Sequence, residues 1–352
     1  MSQTHPLVTT SSLQSPTERL NQFKRFLQKE GLDGFLVPKV DEHQGEYVPP
    51  HAERLRWLTG FSGSAGFAIV LQEKTALFVD GRYTLQAQDQ VDTTVVEICP
   101  LANINPHTWL KDHIQAKQRI GFDPWLHTRE NLERFQNEVT ETETEWIPCS
   151  SNPIDELWTD QPARPQTKLK LHDVQFAGKT AQEKLKQITD SLVTQGVATC
   201  ILTLPASVAW LFNIRASDIP FLPAPLGFAI VHVGGQAELF LNPPGQPQEV
   251  MQYFGENVSL YAREEFATRL RALVKNASHI LVDKKTCPIF ITDFLQGADC
   301  QVIFSQDPCL LPQACKNSVE ITGARNAHIR DGTALVNFLA WLSRVVPAKN
   351  IT

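Results

Sequence analysis

With 352 residues, 42% of them hydrophobic and 20% charged, the chain is long enough to bury two or three ordinary domain cores. A net charge of −6 and a pI near 5.9 give no bulk attraction to nucleic acid or anionic lipid, so neither is expected as a partner. The polar stretch Met1–Gln14 lacks the basic start and apolar run of a secretory signal, no run approaches a membrane span, and the odd set of cysteines (99, 149, 200, 287, 300, 309, 315) contains no Cys-x-x-Cys; a soluble cytoplasmic protein with free thiols is expected.

In chain order, Pro16-Thr17-Glu18 opens a helix whose apolar Leu20, Phe23, Phe26 and Leu27 fall at helical spacing, and Gly31 stops it. Gly34–Val37 reads as a buried strand, Thr75–Val79 and Thr94–Ile98 as further strands, and Arg82–Gln90 as a helix between them. This alternation implies a mixed sheet covered by helices. The stretch Asp160–Gln166, with Gln161-Pro162-Ala163-Arg164-Pro165, breaks regular structure and is the linker candidate. Beyond it the signals repeat. Leu185, Gln187, Leu192 and Gly196 follow the order of Leu20, Gln22, Leu27 and Gly31; Thr199–Leu202 follows Gly34–Val37; Trp210-Leu211 follows Trp57-Leu58. The pentapeptide Gly-Phe-Ala-Ile-Val stands in both halves, at Gly66–Val70 and Gly227–Val231, each time ahead of another strand signal, Leu77-Phe78-Val79 or Leu239-Phe240-Leu241. The chain therefore reads as a duplication, with residues 1–160 and 161–315 as two α/β modules and the pentapeptides on equivalent central strands. Asn317, with Glu320 three positions on, has the capping-box spacing for a last helix, on which Ala324, Ala327, Leu335, Phe338, Leu342 and Val345 recur until Pro347. The apolar face of residues 318–346 is expected to be mobile, or buried against the second module or a neighbouring chain, and a homo-oligomer is left open.

Few residues read as chemistry on pattern alone. Asp80-Gly81-Arg82-Tyr83 directly follows a strand, where α/β proteins often place ligand groups, although on pattern alone a turn with a surface ion pair is favoured. Phe61-Ser62-Gly63-Ser64-Ala65-Gly66 has the look of a phosphate-cradling loop but lacks the P-loop Lys and the dinucleotide spacing, so a tight turn is preferred. Asp41, Glu42, His43, Glu46 and His51 have metal-ligand chemistry, but Pro49-Pro50 interrupts them and a solvated loop is favoured. Asn213 to Asp218 reads as a capped turn linking two strands. There is no Gly-x-Ser-x-Gly, no His-Glu-x-x-His and no cysteine with a nucleophile signature.

Together these motifs carry a resemblance. Asp41-Glu42-His43, Glu46-Tyr47, Gly60 to Gly66 and Asp80-Gly81-Arg82-Tyr83 with Leu85-Gln86-Ala87 resemble the first domain of the three-domain, cytosolic-type Xaa-Pro aminopeptidases (aminopeptidase P). Leu157 to Pro165 resembles the interdomain segment, Ala209 to Asp218 the second domain, and Lys316 to Asp331 the opening of the catalytic domain. The resemblance implies an α/β fold class with two homologous creatinase N-terminal-like domains, each a mixed β-sheet flanked by helices, followed by the start of a pita-bread metallopeptidase domain over residues 316–352. Relatives of this type remove the N-terminal residue that precedes proline from peptides, using two divalent ions, usually manganese, held by two Asp, one His and two Glu. Two such ions about 3.5–4 Å apart activate the attacking water.

The resemblance departs where the metal site would begin. The sequence ends at Thr352, ahead of any counterpart to those ligands, so the expectation is an N-terminal portion that holds no metal or catalytic residue and is inactive alone. Asp331 and His328 match a structural helix and not metal ligands. One functional residue carries over: Arg82 matches the arginine that in relatives reaches toward the peptide cleft, and its planar paired donors suit a peptide carbonyl or carboxylate. Ala216 and Phe221-Leu222-Pro223 depart from the pattern of relatives and imply altered packing in that loop. The alternative reading is a non-catalytic creatinase-like module that binds peptides or a partner.

Overall fold

The computed structural model describes residues 14–347 and 349, apart from 243, 244, 276–278 and 299. The N-terminal stretch read for a signal thus lies outside the described residues except for Gln14. Ser15 starts the first helix, Pro16–Lys29, by a capping box: its hydroxyl accepts the Glu18 N–H at 3.3 Å, and the Glu18 carboxylate accepts the Ser15 N–H at 2.7 Å. Gly31, at φ +68°, ends it in the left-handed region. The first sheet follows, with β1 (Gly34–Pro38), β2 (Gly66–Leu71), β3 (Thr75–Val79), β4 (Glu97–Pro100), β5 (Arg119–Phe122) and β6 (Glu145–Pro148) in the order β4-β3-β2-β1-β5-β6. β2 runs antiparallel to β1 and β3, whereas β1 with β5, β3 with β4 and β5 with β6 are parallel, so the sheet is mixed. Both faces are buried, which follows from the side-chain alternation of a strand. Phe35 and Val37 pack with Leu20, Phe23 and Leu27 on one face, and Leu36 packs with Phe78, Trp109 and Phe135 on the other.

The strand expected at Thr94–Ile98 begins later, at Glu97. Asp92 is the cause: its carboxylate accepts both the N–H (3.0 Å) and the hydroxyl of Thr94, and its carbonyl accepts the N–H groups of Val95 and Val96. A side chain that supplies local partners keeps 92–96 in a turn at the expense of the ladder.

The second copy repeats this construction. Thr180 and Glu183 form the same capping box on the helix Ala181–Thr194, and Gly196 sits at φ +67°. Its strands are β7 (Thr199–Leu202), β8 (Gly227–His232), β9 (Ala237–Leu241), β10 (Val258–Ala262), β11 (His279–Val282) and β12 (Gln301–Phe304), in the order β10-β9-β8-β7-β11-β12. This matches the first sheet position for position, and the two pentapeptides open the equivalent strands β2 and β8. The correspondence reaches individual contacts. Arg19 donates to the Trp57 carbonyl at 2.9 Å with its guanidinium 5.2 Å from the Trp57 ring; Lys184 donates to the Trp210 carbonyl at 3.0 Å with its ammonium 4.6 Å from that ring. Three residues after each tryptophan the backbone turns left-handed, at Gly60 (φ +81°) and Asn213 (φ +50°).

Close packing divides the chain into two compact units, one of residues up to Gln166 with Ala267–Ser305, the other of Thr167–Phe266 with Gln306 onward. Within the first unit, Trp125 stacks on Phe290 at 4.1 Å and Thr128 bridges Pro288. In the second unit, Asn317 caps the last helix, Ser318–Val345, by accepting the N–H groups of Val319 and Glu320, and ties it down by donating to the Ala177 carbonyl at 2.8 Å. The helix forms as expected but is not packed away: none of its residues is buried, and Leu335 and Phe338 are 57% and 51% exposed.

Candidate functional site

The Asp80-Gly81-Arg82-Tyr83 motif sits where β3 ends. Asp80, still extended at φ −63° and ψ 151°, caps the short turn Gly81–Tyr83 that leads into the helix Thr84–Gln90. One of its carboxylate oxygens accepts both the backbone N–H of Arg82 (2.9 Å) and its Nε (2.8 Å). That pair lowers the Asp80 carboxyl and raises the Arg82 guanidinium from their ordinary values, each through the hydrogen bond between them. The contact fixes Nε and leaves the outer edge of the guanidinium presented on a side chain that is 66% exposed, 5.4 Å from the Tyr83 ring. This geometry can offer two parallel N–H donors to a carbonyl or carboxylate.

The loop from Gly60 to Gly66 packs beside this motif because β2 and β3 pair Gly66 with Val79. Its polar groups are consumed locally. Ser62 bonds Gln90 and Gln86, while the Ser64 hydroxyl lies 2.8 Å from both the Glu46 carboxylate and the Tyr83 hydroxyl. Gly63 is required by the close approach of Phe61, whose ring would stand 2.2 Å from an added Cβ. The segment is a bend whose Ser64 hydroxyl braces Tyr83. Glu46, Ser64 and Tyr83 form the neighbourhood of Arg82, a grouping that only the strand pairing reveals.

The acidic and imidazole cluster departs from expectation. Asp41, Glu42, His43 and His51 are all buried, not solvated, and Glu46 is drawn away to Ser64. Burial is possible because the partners arrive from far along the chain. Arg164 reaches Glu42 at 2.6 Å, Gln161 donates to the His51 carbonyl at 2.8 Å, and Arg54 makes a bidentate pair with Asp155, both contacts at 2.7 Å. Burial pushes Asp41 up and pushes His51 down to about 4, with Arg164 adding to the latter. These contacts latch 155–164 onto the segment 42–54; among the described residues no group of three His, Cys, Asp or Glu is placed to hold a metal ion. Among the described residues the donor set therefore does not fit a metal pair. The cysteines are free, and burial raises Cys99 to about 12 and Cys149 to about 11, which suppresses the thiolate a nucleophile needs.

In the second unit, Ile214–Arg215 pairs with Lys170–Leu171 as a two-residue ladder, and Asp218 holds the loop that follows by accepting the Leu226 N–H at 2.7 Å and the Thr167 hydroxyl. The stretch read as a turn thus holds a short strand, Ile214–Arg215, and the loop that Asp218 ties lies after it. Arg215, which pattern reasoning passed over, lines an open groove of about 890 Å³.

Against known proteins, residues 19–157 and 160–320 each match the profile described as the Creatinase/Prolidase N-terminal domain. The chain belongs to the creatinase/prolidase N-terminal domain family. It carries the domain twice, in agreement with the two sheets of one strand order. Curated relatives are named "Probable Xaa-Pro aminopeptidase P": that of Neosartorya fischeri is 33% identical over 338 residues, covering 93% of this chain and 51% of the relative. That of Coccidioides posadasii is 31% identical over 354 residues, covering 97% and 54%. The chain thus spans about half the length of the curated relatives it matches. Among solved structures, an X-prolyl aminopeptidase from Caenorhabditis elegans, described as a cytosolic enzyme with a di-nuclear active site, aligns with a TM-score of 0.86 at 26% identity over 95% of this chain and 57% of that one. No helix among the described residues is long and apolar enough to cross a membrane.

Proposed function

We propose that this chain is the N-terminal, substrate-shaping portion of a metal-dependent Xaa-Pro aminopeptidase of the cytosol, acting on proline-containing peptides. The observation that carries the proposal is likeness to a protein of that name along 338 residues, through both modules and into the last helix. In this reading residues 1–160 and 161–315 are the two creatinase-like domains and 316–352 begins a metallopeptidase domain. The two divalent ions, manganese by resemblance, are held outside this chain. Arg82 is the contact to peptide: Asp80 fixes its Nε, so the outer donors are aimed without ordering a free side chain at the moment of binding. The chain alone binds no metal pair and cleaves nothing.

The test is to assay the purified 352-residue chain on Ala-Pro-Pro with millimolar Mn²⁺, where no turnover is expected. Turnover that a chelator abolishes would overturn the proposal. In a longer, active form, Arg82→Ala should lower kcat/KM about tenfold while leaving the melting temperature unchanged. An unaltered kcat/KM would remove Arg82 from the substrate site and leave the rest standing.

A further inference from the structure

We propose that Arg164 is a positioning residue for the Arg82 site: by holding Glu42 it fixes the loop 41–46, and through that loop the tyrosine on which Arg82 rests. The inference rests on the reading of Arg82 as the contact to peptide, and it adds the part of the chain that aims that contact. The segment 155–164 is anchored at every third residue. Asp155 accepts from Nε and Nη2 of Arg54, both at 2.7 Å, and Trp158 stacks on Trp57 with ring centres 5.8 Å apart. Gln161 donates to the His51 carbonyl at 2.8 Å, and Arg164 donates to the Glu42 carboxylate at 2.6 Å. The first three anchors all meet residues 51–57 and hold the segment without the fourth. Arg164 alone reaches residue 42, with its side chain 42% exposed against 5% for Glu42. A pair with one exposed member adds little to global stability, so its consequence lies in where it holds Glu42.

Glu42 belongs to a turn that moves as a unit. The Asp41 carboxylate accepts the His43 N–H at 2.9 Å, and the Asp41 carbonyl accepts the Gln44 N–H at 3.1 Å and its side-chain amide at 3.2 Å. Gln44 completes the turn in the left-handed region, at φ +56°. Asp41, Glu42 and His43 are buried, whereas Glu46 is exposed, so the outer end of the loop takes its position from the inner one. Glu46 accepts the Ser64 hydroxyl at 2.8 Å. Because that hydroxyl has a single proton, Tyr83 is the donor in the 2.8 Å bond between Ser64 and Tyr83. The Arg82 guanidinium then stands 5.4 Å from the Tyr83 ring, and with Nε taken by Asp80 the ring sets the direction of the outer donors. From Arg164 to Arg82 the path is continuous: hydrogen bonds, one short turn of backbone and one ring contact, the kind of physical network through which coupling travels.

Hydrogen exchange of the 352-residue chain tests the path without substrate. Arg164→Ala should speed exchange at least about fivefold across 41–47 and 80–86 while leaving 185–192 in the second copy unchanged, and Arg164→Lys should restore most of the protection. In a longer, active form, Arg164→Ala should lower kcat/KM about fivefold through KM, and should do nothing further once Arg82→Ala is present. Equal losses from Arg164→Ala in both backgrounds would mark a merely structural role and overturn the proposal. So would unchanged exchange over 80–86, or a rise that includes 185–192. The two readings part at the single variants. Arg82→Ala with an unaltered kcat/KM removes the peptide contact and the positioning role with it, whereas a loss in Arg82→Ala alone, with Arg164→Ala unaffected, removes only the positioning role.

Discussion

Acid should unfold this protein partly through one histidine. His127 is 1% exposed, its ring edge-on to Phe67 and Phe122, and its Nε2 makes no hydrogen bond. Burial pushes it down from 6.5 to about 4, offset only in part by Asn131 and the Leu36 backbone. The folded chain therefore keeps the imidazole neutral while the unfolded chain takes up a proton below pH 6.5, so stability falls as pH drops from 6.5 toward 4 and the loss is complete below that. At about 1.4 kcal/mol per pH unit the window amounts to roughly 3 kcal/mol. His51 acts in the same direction, whereas Asp41 and Asp123, both raised chiefly by burial, act in the opposite one. Substituting His127→Leu isolates the one residue, because the others titrate in both proteins. Urea unfolding followed by circular dichroism between pH 7.5 and 4.5 should show the parent losing about 2–3 kcal/mol more than the variant. Parallel curves, within about 0.5 kcal/mol, would refute the reasoning, since an uncompensated buried imidazole cannot be silent over that range.

Further outcomes follow from the same contacts. Asp155→Ala should cost about 3 kcal/mol by stranding the buried Arg54 guanidinium, and Arg54→Met with Asp155→Leu should recover most of it in denaturant titrations. Gly63→Ala should cost about 1–3 kcal/mol because Phe61 cannot withdraw, whereas Gly81→Ala, whose Cβ meets nothing within 4 Å, should be near neutral. Sedimentation should show association that rises with concentration, and Phe338→Lys should suppress it, since Leu335, Phe338 and Leu339 stand about half exposed on one helix.

What could be read from the sequence was whatever the chain states locally. The apolar spacing of Leu20 to Leu27 and Leu185 to Leu192, the stops at Gly31 and Gly196 and the twin pentapeptides all lie within short windows, and they sufficed for the duplication and the mixed sheets. The start of β4 was missed by three residues because Asp92 hydrogen-bonds its own neighbours, a choice propensity does not register. The acidic cluster was misjudged as solvated for a different reason. Its partners, Gln161 and Arg164, lie more than a hundred residues away, inside the stretch read as linker, so nothing near Asp41 announces the burial. Arg82 was found through family likeness, but its setting among Glu46, Ser64 and Tyr83 depends on β2–β3 pairing.

The two copies also show how one contact can be kept with different residues. Arg19 on Trp57 and Lys184 on Trp210 do the same work, a cation donating to the tryptophan carbonyl over its ring. The difference lies at the left-handed position that follows. Gly60 has no side chain to offer Arg19, whereas Asn213 accepts from Lys184 at 2.7 Å and donates to the Lys179 carbonyl at 2.8 Å, so the second copy gives its cation an acceptor that the first copy lacks at this position. Burial lowers Lys184 to about 8, which makes the Asn213 oxygen an important second acceptor. The two sites should then be coupled. Lys184→Arg alone should cost about 1–3 kcal/mol by overpacking, and Asn213→Gly alone about 1–2 kcal/mol by leaving buried partners unpaired. Combined, they recreate the first copy's arrangement and should cost at least about 1 kcal/mol less than the sum, as read from urea midpoints in a double-mutant cycle. Additivity within about 0.5 kcal/mol would mean that the side chain at 213 does not bear on the choice of cation, and that the likeness of the two clamps reflects shared ancestry without shared packing.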